Sequence, residues 1–273
     1  MRFFFGLFVA ALIFIPLERV FALHREQKIF RKGWATDIVH FLFNRFLIDI
    51  GLFVIVGPVI LFLHFIVSAK FQAAVAAQPR ILQFIEAVFI ADIGGYIGHR
   101  LTHRIPWLWK FHSVHHSIRE MDWLASARLH PIDQVFTRAF AIVPLYIMGF
   151  TKETFGFYLV IATLQAIFIH SNVRLKFPRL RWILATPEFH HWHHSNDPEA
   201  YNKNFAGQLP VLDWLFGTAH LPKGKMPETY GTNDAVPTSY VKQMLYPFRG
   251  QTNINNSRPG LEQSDGRSFP LHQ

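Results

Sequence analysis

The stretch Ile81-Leu-Gln-Phe-Ile-Glu-Ala-Val-Phe-Ile-Ala-Asp92-Ile-Gly-Gly-Tyr96-Ile-Gly-His99-Arg-Leu-Thr-His103 decides how the chain reads. Ile81–Gly98 is apolar enough to cross a bilayer, for which a helix needs about 20 residues. Residues four apart share a helical face, so His99 and His103 address one centre just beyond the apolar run. Two more clusters repeat the theme, His112-Ser-Val-His115-His116 and His190-His-Trp-His193-His194. Eleven of the sixteen histidines fall between residues 99 and 194. Neutral imidazole is the commonest ligand for transition metals, and one mononuclear site uses only three or four. Eight or more converging imidazoles therefore imply two metal ions.

Composition agrees with a membrane protein. The 273 residues are 51% hydrophobic and 16% charged, with 29 phenylalanines, which is too apolar for an ordinary soluble domain. Cysteine is absent, which removes disulfides, cysteine-ligated iron–sulfur clusters and catalytic thiols. Any transition metal must use nitrogen and oxygen ligands. The net charge of +9 comes from basic residues beside the apolar stretches, as lipid anchors and not as a nucleic-acid surface. No nucleic-acid partner is expected.

Five apolar stretches occur, roughly Phe3–Leu17, Ile38–Val67, Ile81–Gly98, Val135–Phe150 and Phe155–Ile169. The expected fold is all-α: a membrane bundle of four to five transmembrane helices carrying a histidine-rich helical domain. The second stretch is too long for one upright span, and Gly51, Gly57 and Pro58 are where it would kink. The first reads as a retained anchor instead of a cleaved signal, because cleavage would strand the basic run 24–32 outside. The basic links 18–37 and 100–128 belong on the cytoplasmic side by the positive-inside rule, which brings all three clusters to that face. Three regions result: membrane segments over 1–80, a catalytic domain over 81–235, and a polar tail over 236–273 that is disordered at its end.

His112, His115 and His116 are offset by zero, three and four, as are His190, His193 and His194. On that spacing one metal takes His112 and His115 while His116 turns to the other. Asp92 stands seven residues before His99, about 10 Å deeper at 1.5 Å per residue. It is a candidate to orient a histidine on a neighbouring helix or to pair with a buried arginine. Arg45 and Asp49 read as an ion pair within the second span. His130 is a ligand, a supporting donor or a turn residue, whereas His40 and His64 are structural. Trp107, Trp109, Trp123 and Trp182 flank spans as interfacial anchors.

The order of these motifs resembles the fatty acid hydroxylase superfamily, which includes sterol desaturases and alkylglycerol monooxygenase. The likeness runs through Asp92-Ile-Gly-Gly-Tyr96-Ile-Gly-His99-Arg100, Trp109-Lys-Phe-His112-Ser-Val-His115-His116-Ser, Met121-Asp-Trp and Arg128-Leu-His130-Pro131. It continues through His170-Ser-Asn172, Thr186-Pro-Glu-Phe-His190-His-Trp-His193-His194, Asn204-Phe and Leu212-Asp-Trp-Leu-Phe-Gly-Thr218. The resemblance implies a di-iron centre, two Fe ions that use O2 to oxidise an unactivated C–H bond of a lipid. The ligands it implies are His99, His103, His112, His115, His116, His170, His190, His193 and His194, with His191 left out. Ala166 stands where the sphingolipid-hydroxylase branch has a histidine, which argues against that branch.

Aliphatic C–H cleavage exceeds acid–base chemistry and needs a strong metal-centred oxidant. Nitrogen ligands alone do not choose iron over copper, zinc or nickel. The chain shows no dinucleotide fingerprint and no recognisable haem module, so a separate electron-transfer partner is expected. The rival reading is a histidine-rich metal transporter, but transporters gather their ligands near mid-membrane on broken helices. A zinc hydrolase ranks lower, since no His-Glu-x-x-His occurs.

Overall fold

The computed structural model describes residues 2–175 and 177–249. Among these the chain is all-helical, with no strand and only two isolated bridges, Ala22 to Val173 and Ser195 to Tyr230. Helix α1 spans Arg2–Val20. The long second apolar stretch is α2 (Trp34–Gly51), a π-helical turn (Leu52–Val56) and α3 (Gly57–His64). Pro58 lacks an amide donor and crowds the carbonyl four residues before it. The π turn widens the helix just ahead of it, which lets the rod continue without breaking.

A short α4 (Ala69–Ala76) leads to α5 (Arg80–Arg104) and α6 (Pro106–His116). Ile105 precedes Pro106 and is extended, at φ −94° and ψ 115°, because proline disfavours helical geometry in the residue before it. Pro106 then starts α6, where its missing N–H costs nothing. This one-residue joint folds α6 against the end of α5. Next come α7 (Pro131–Met148), closed by left-handed Gly149, and α8 (Lys152–His170). The short helices α9 (Pro187–His193), α10 (Val211–Leu215) and α11 (Tyr240–Leu245) complete the described chain.

Three helical rods are long and apolar enough to cross a membrane: Trp34–His64, Arg80–Arg104 and Lys152–His170. Helices α1 and α7, which cover the first and fourth apolar stretches, are not among them. Helix α7 lies tightly on α5, since a Cβ at Gly94 would strike the Phe140 carbonyl and one at Gly98 would press the Phe140 ring. Ala87, Ala91, Leu145 and Tyr158 fill the seam among α5, α7 and α8. Ala10 and Phe14 of α1 pack with Ile167 of α8 and with Trp123 and Leu124. Trp123 is therefore a core residue, not an interfacial anchor, because its turn is tucked under α1.

A buried charge cluster ties the link after α1 to the segment after α6. Arg31 contacts Asp37 and Asp122, each at 2.7 Å, and Arg128 Nε contacts Asp37 at 2.6 Å. Breaking one member of such a cluster leaves an uncompensated buried charge. Arg45 and Asp49 do pair at 2.9 Å, on the outer face of α2.

The stretch expected to be a polar tail is folded in its first part. Gln243 of α11 is fully buried, hydrogen-bonded to His40 at 2.6 Å, and the Tyr240 hydroxyl donates to Asn44. These polar side chains find partners on α2, so composition alone reads them as solvent-facing when they are not. Residues 250–273, where disorder was expected, lie outside the described residues.

Candidate metal centre

The three clusters and His170 meet as two adjoining groups of imidazoles. One holds His99 and His103 from the last turns of α5, His112 and His116 from α6, and His193 from α9. The other holds His115 from α6, His170 at the end of α8, and His190 and His194 at α9. In each group one ring nitrogen per residue lies within 4.8 Å of all the others. The groups share a wall, where the His116 and His194 rings stack at 4.5 Å. All nine histidines that the sequence singles out as ligands fall in these groups.

The division between groups differs from the one the spacing suggested. His112 sides with His116 and not with His115, and His190 sides with His194 while His193 crosses to the first group. At 3.6 residues per turn, a step of four overshoots a full turn by about 40° and a step of three falls short by about 60° on the other side. The four-apart pair keeps one face, and the remaining histidine serves the neighbouring centre.

Local structure aims these rings. Thr186 caps α9 by accepting from the Phe189 amide, and Pro187 occupies its first turn. The joint at Ile105 sets α6 opposite the end of α5. The ring nitrogens then fall into a consistent pattern. His99 Nδ1 donates to the Phe205 carbonyl at 2.8 Å, His193 Nδ1 to Lys203 at 2.7 Å, His115 Nδ1 to Arg128 at 3.0 Å and His170 Nδ1 to Ala166 at 2.6 Å. A carbonyl only accepts, so each of these Nδ1 atoms carries the ring's proton. His112 Nδ1 faces the Asp133 carboxylate at 3.1 Å, which calls for the same tautomer.

The Nε2 atoms of these five rings are left as lone pairs, and the Nε2 atoms of both groups point at one another. His99 and His112 meet Nε2 to Nε2 at 3.1 Å, and so do His115 and His170. The pairs His116–His193, His170–His190 and His190–His194 lie at 3.0, 3.1 and 3.2 Å. Opposed lone pairs repel unless a cation sits among them. Protonation is a poor remedy here. Burial first, and neighbouring imidazoles second, push His115, His116, His190, His193 and His194 well below the usual histidine range. Neutral, buried and converging, these rings fit metal cations.

Asp92 touches neither an imidazole nor a guanidinium. Its carboxylate accepts the amides of Gly207, Gln208 and Leu209 at 3.2, 3.0 and 2.7 Å. The reason is its depth: seven residues up α5 it faces the returning chain, not the histidines. Asp92 is linked to His99 through the loop that carries the Phe205 carbonyl. Asp213 holds the same loop by accepting the Phe205 and Ala206 amides, each at 2.8 Å. Asn202 and Asn204 take left-handed φ of 58° and 57°, a conformation asparagine tolerates. They flank Lys203 and turn its carbonyl to His193.

Several other histidines stand outside both groups. His130 caps α7 by accepting from the Ile132 amide, and its Nε2 faces the Met244 carbonyl. His191 bonds the Tyr230 hydroxyl and the Ser171 carbonyl, and burial holds it down at about 3. His40 sits among Asn44, Gln243 and the Leu129 carbonyl. Trp109 is part of the site's wall, with its indole 5.0 Å from His103 and its N–H donated to Asp234. Sequence reasoning missed Asp133, Asp213 and the carbonyl acceptors. Asp133 follows His130-Pro131 closely enough to be noticed, but no one-dimensional signal aims it at His112.

The arrangement defines a class: a helical integral membrane protein with a paired, all-imidazole centre at the ends of its spans. Residues 84–218 match the fatty acid hydroxylase family, and the chain belongs to that superfamily. It is 31% identical over 183 residues to the ornithine lipid hydroxylase OlsE of Rhizobium tropici, covering 66% of this chain and 55% of that one. It is 29% identical over 147 residues to the alkylglycerol monooxygenase of Homo sapiens, covering 54% and 32%. With the very-long-chain aldehyde decarbonylase GL1-9 of Oryza sativa subsp. indica it shares 23% identity over 189 residues, covering 67% and 72%. The chain thus spans about half or less of the lipid hydroxylase and the monooxygenase. No solved structure matches it.

Proposed function

We propose that the chain is a membrane-bound lipid oxygenase, an oxidoreductase that uses O2 to hydroxylate or desaturate a C–H bond of a lipid. The observation that carries this reading is the pair of adjoining imidazole groups whose proton-free nitrogens face one another. The relatives named above as lipid hydroxylase and monooxygenase support it. Residues 81–235 form the catalytic unit, and two iron ions occupy the two groups. When bound, they supply the oxidising power that side chains lack.

The protein's own contribution is orientation. Phe205, Lys203, Arg128, Ala166 and Asp133 fix each tautomer, and Trp109 and Phe205 wall the five-histidine group. The acyl or sterol body lies among the spans and presents one carbon to the cytoplasmic edge of the membrane. Electrons come from a separate carrier. A transporter is not favoured, since the ligands gather at helix ends and are pinned by carbonyls.

The test has two arms. Purified protein should hold about two irons per chain, the number that two ligand groups imply. A host carrying the chain should show lipids that have gained an oxygen atom or lost two hydrogens, read by mass spectrometry. Stoichiometric zinc with metal flux across proteoliposomes, and no altered lipid, would overturn the proposal.

A further inference from the structure

Beyond the third cluster the chain returns along the spans instead of leaving them. Helix α5 rises 1.5 Å per residue, so Asp92 lies about 10 Å and Val88 about 16 Å above the level of His99. The Gly207–Leu209 amides bond Asp92. Val88 packs against the cluster of Tyr96, Phe205, Ala206, Leu209 and Leu212. On the other flank Gln208 reaches the Tyr158 hydroxyl of α8 at 3.2 Å. The Gln208 carbonyl accepts from Ala185, whose own carbonyl accepts from Gln165 of α8. Each partner on α5 and α8 belongs to a rod long and apolar enough to cross a membrane.

Irregular backbone survives at such depth only where protein groups satisfy its amides. Asp92 and Asp213 do that for residues 205–209, which accounts for a carboxylate in mid-span. The excursion exposes large apolar side chains. Leu215 is 73% exposed, Ile183 57% and Phe216 54%. Trp182 and Trp214 meet at 4.1 Å, and the Arg181 guanidinium lies 4.8 Å over Trp182. Arg179 is exposed on the same loop. Paired tryptophans beside arginines are the mark of a headgroup boundary, and exposed apolar side chains beside the spans need the same cover as they do.

We propose that residues 177–184 and 205–216 form a re-entrant insert in the leaflet on the histidine side. In this insert Leu215, Phe216 and Ile183 meet acyl chains, while Arg179 and Arg181 meet headgroup phosphates. The insert opens at Phe205, whose ring lies 5.1 Å from His103, so one segment walls the site and faces lipid. The proposal rests on α5 and α8 crossing the membrane, not on any oxygenase activity, and its test reads position alone.

The chain has no cysteine, so Leu215→Cys gives a single labelling site in it. Lys223→Cys, at an exposed polar position, is the reference. Both carry an environment-sensitive fluorophore in phosphatidylglycerol-containing vesicles. The label at 215 should emit to the blue of the reference and lose several-fold more intensity to nitroxide lipids than to aqueous iodide, with the reverse at 223. Ile183→Cys repeats the measurement on the 177–184 segment of the insert if the first variant misfolds. Iodide quenching at 215 and 183 equal to that at 223 would overturn the proposal. So would protection from both quenchers, which would place another protein surface there.

Discussion

The two imidazole groups look alike but are held in different ways. In the four-histidine group, His170 donates to the Ala166 carbonyl, four residues back in its own helix, and His115 donates to Arg128, whose side chain is locked by Asp37. In the five-histidine group, the acceptors of His99 and His193 are carbonyls of an irregular loop, and that loop is held by Asp92 and Asp213. The first group leans on a helix and a buried charge cluster. The second leans on two carboxylates gripping backbone amides. Damage to the supports should consequently strike the two groups separately.

Removing a ligand is the most severe way to probe this contrast. His115→Ala should abolish product formation and lower the metal content by one ion, leaving the five-histidine group loaded. His112→Ala should do the same with the other ion lost. Metal analysis beside lipid mass spectrometry checks both. Loss of both ions from either single variant would show that the groups fill only together, and the contrast would fail.

Removing a support should be gentler and more selective. Asp213→Asn puts an amide donor where the Phe205 and Ala206 amides need acceptors, so the loop loosens and the Phe205 carbonyl shifts from His99. Groups that orient a metal ligand are worth about 10- to 100-fold in metal affinity, and the loss should fall on one ion of the two. Asp37→Asn strikes the other side. Breaking a buried charge cluster costs about 3–5 kcal/mol, so this variant should unfold at lower denaturant and weaken first the ion of the four-histidine group, which the Arg128 carbonyl serves. If chelator titration shows equal weakening of both ions in Asp213→Asn, the loop does not serve one group alone.

These supports also mark where the sequence stops being readable. Apolar length and four-residue spacing are local properties, so three of the five apolar stretches as spanning rods and the eight clustered histidines are legible directly, whereas His170 enters only through the family resemblance. The split of each triplet between two centres differs from the pairing by three: the four-apart histidines, only about 40° apart on the helix, share a centre. Asp92 could be recognised as unusual but not understood. Its partners lie more than a hundred residues away, on backbone amides that carry no side-chain signature. Carbonyl acceptors such as Phe205 and Lys203 are illegible for the same reason: any residue type offers one. Gln243 and Tyr240 looked like tail residues until α2 supplied their partners.

The mildest perturbation separates the clamp from its surroundings. The Tyr96 hydroxyl lies 2.9 Å from Thr218 Oγ1, and that hydroxyl in turn donates to Asp213 at 2.6 Å. Tyr96→Phe removes the outermost link and keeps the ring, which packs on Phe216 and Phe205. Thr218 still reaches Asp213, and Asp213 still holds both amides. The Tyr96 hydroxyl also accepts from Arg100 at 3.2 Å, so two hydrogen bonds of about 1 kcal/mol each are lost, and the variant should melt slightly earlier while retaining both ions and its product. A selective loss of one ion in Tyr96→Phe would mean that the grip on the loop extends to the hydroxyl relay. The five-histidine group would then depend on a chain of side chains running back to α5, and not on two carboxylates alone.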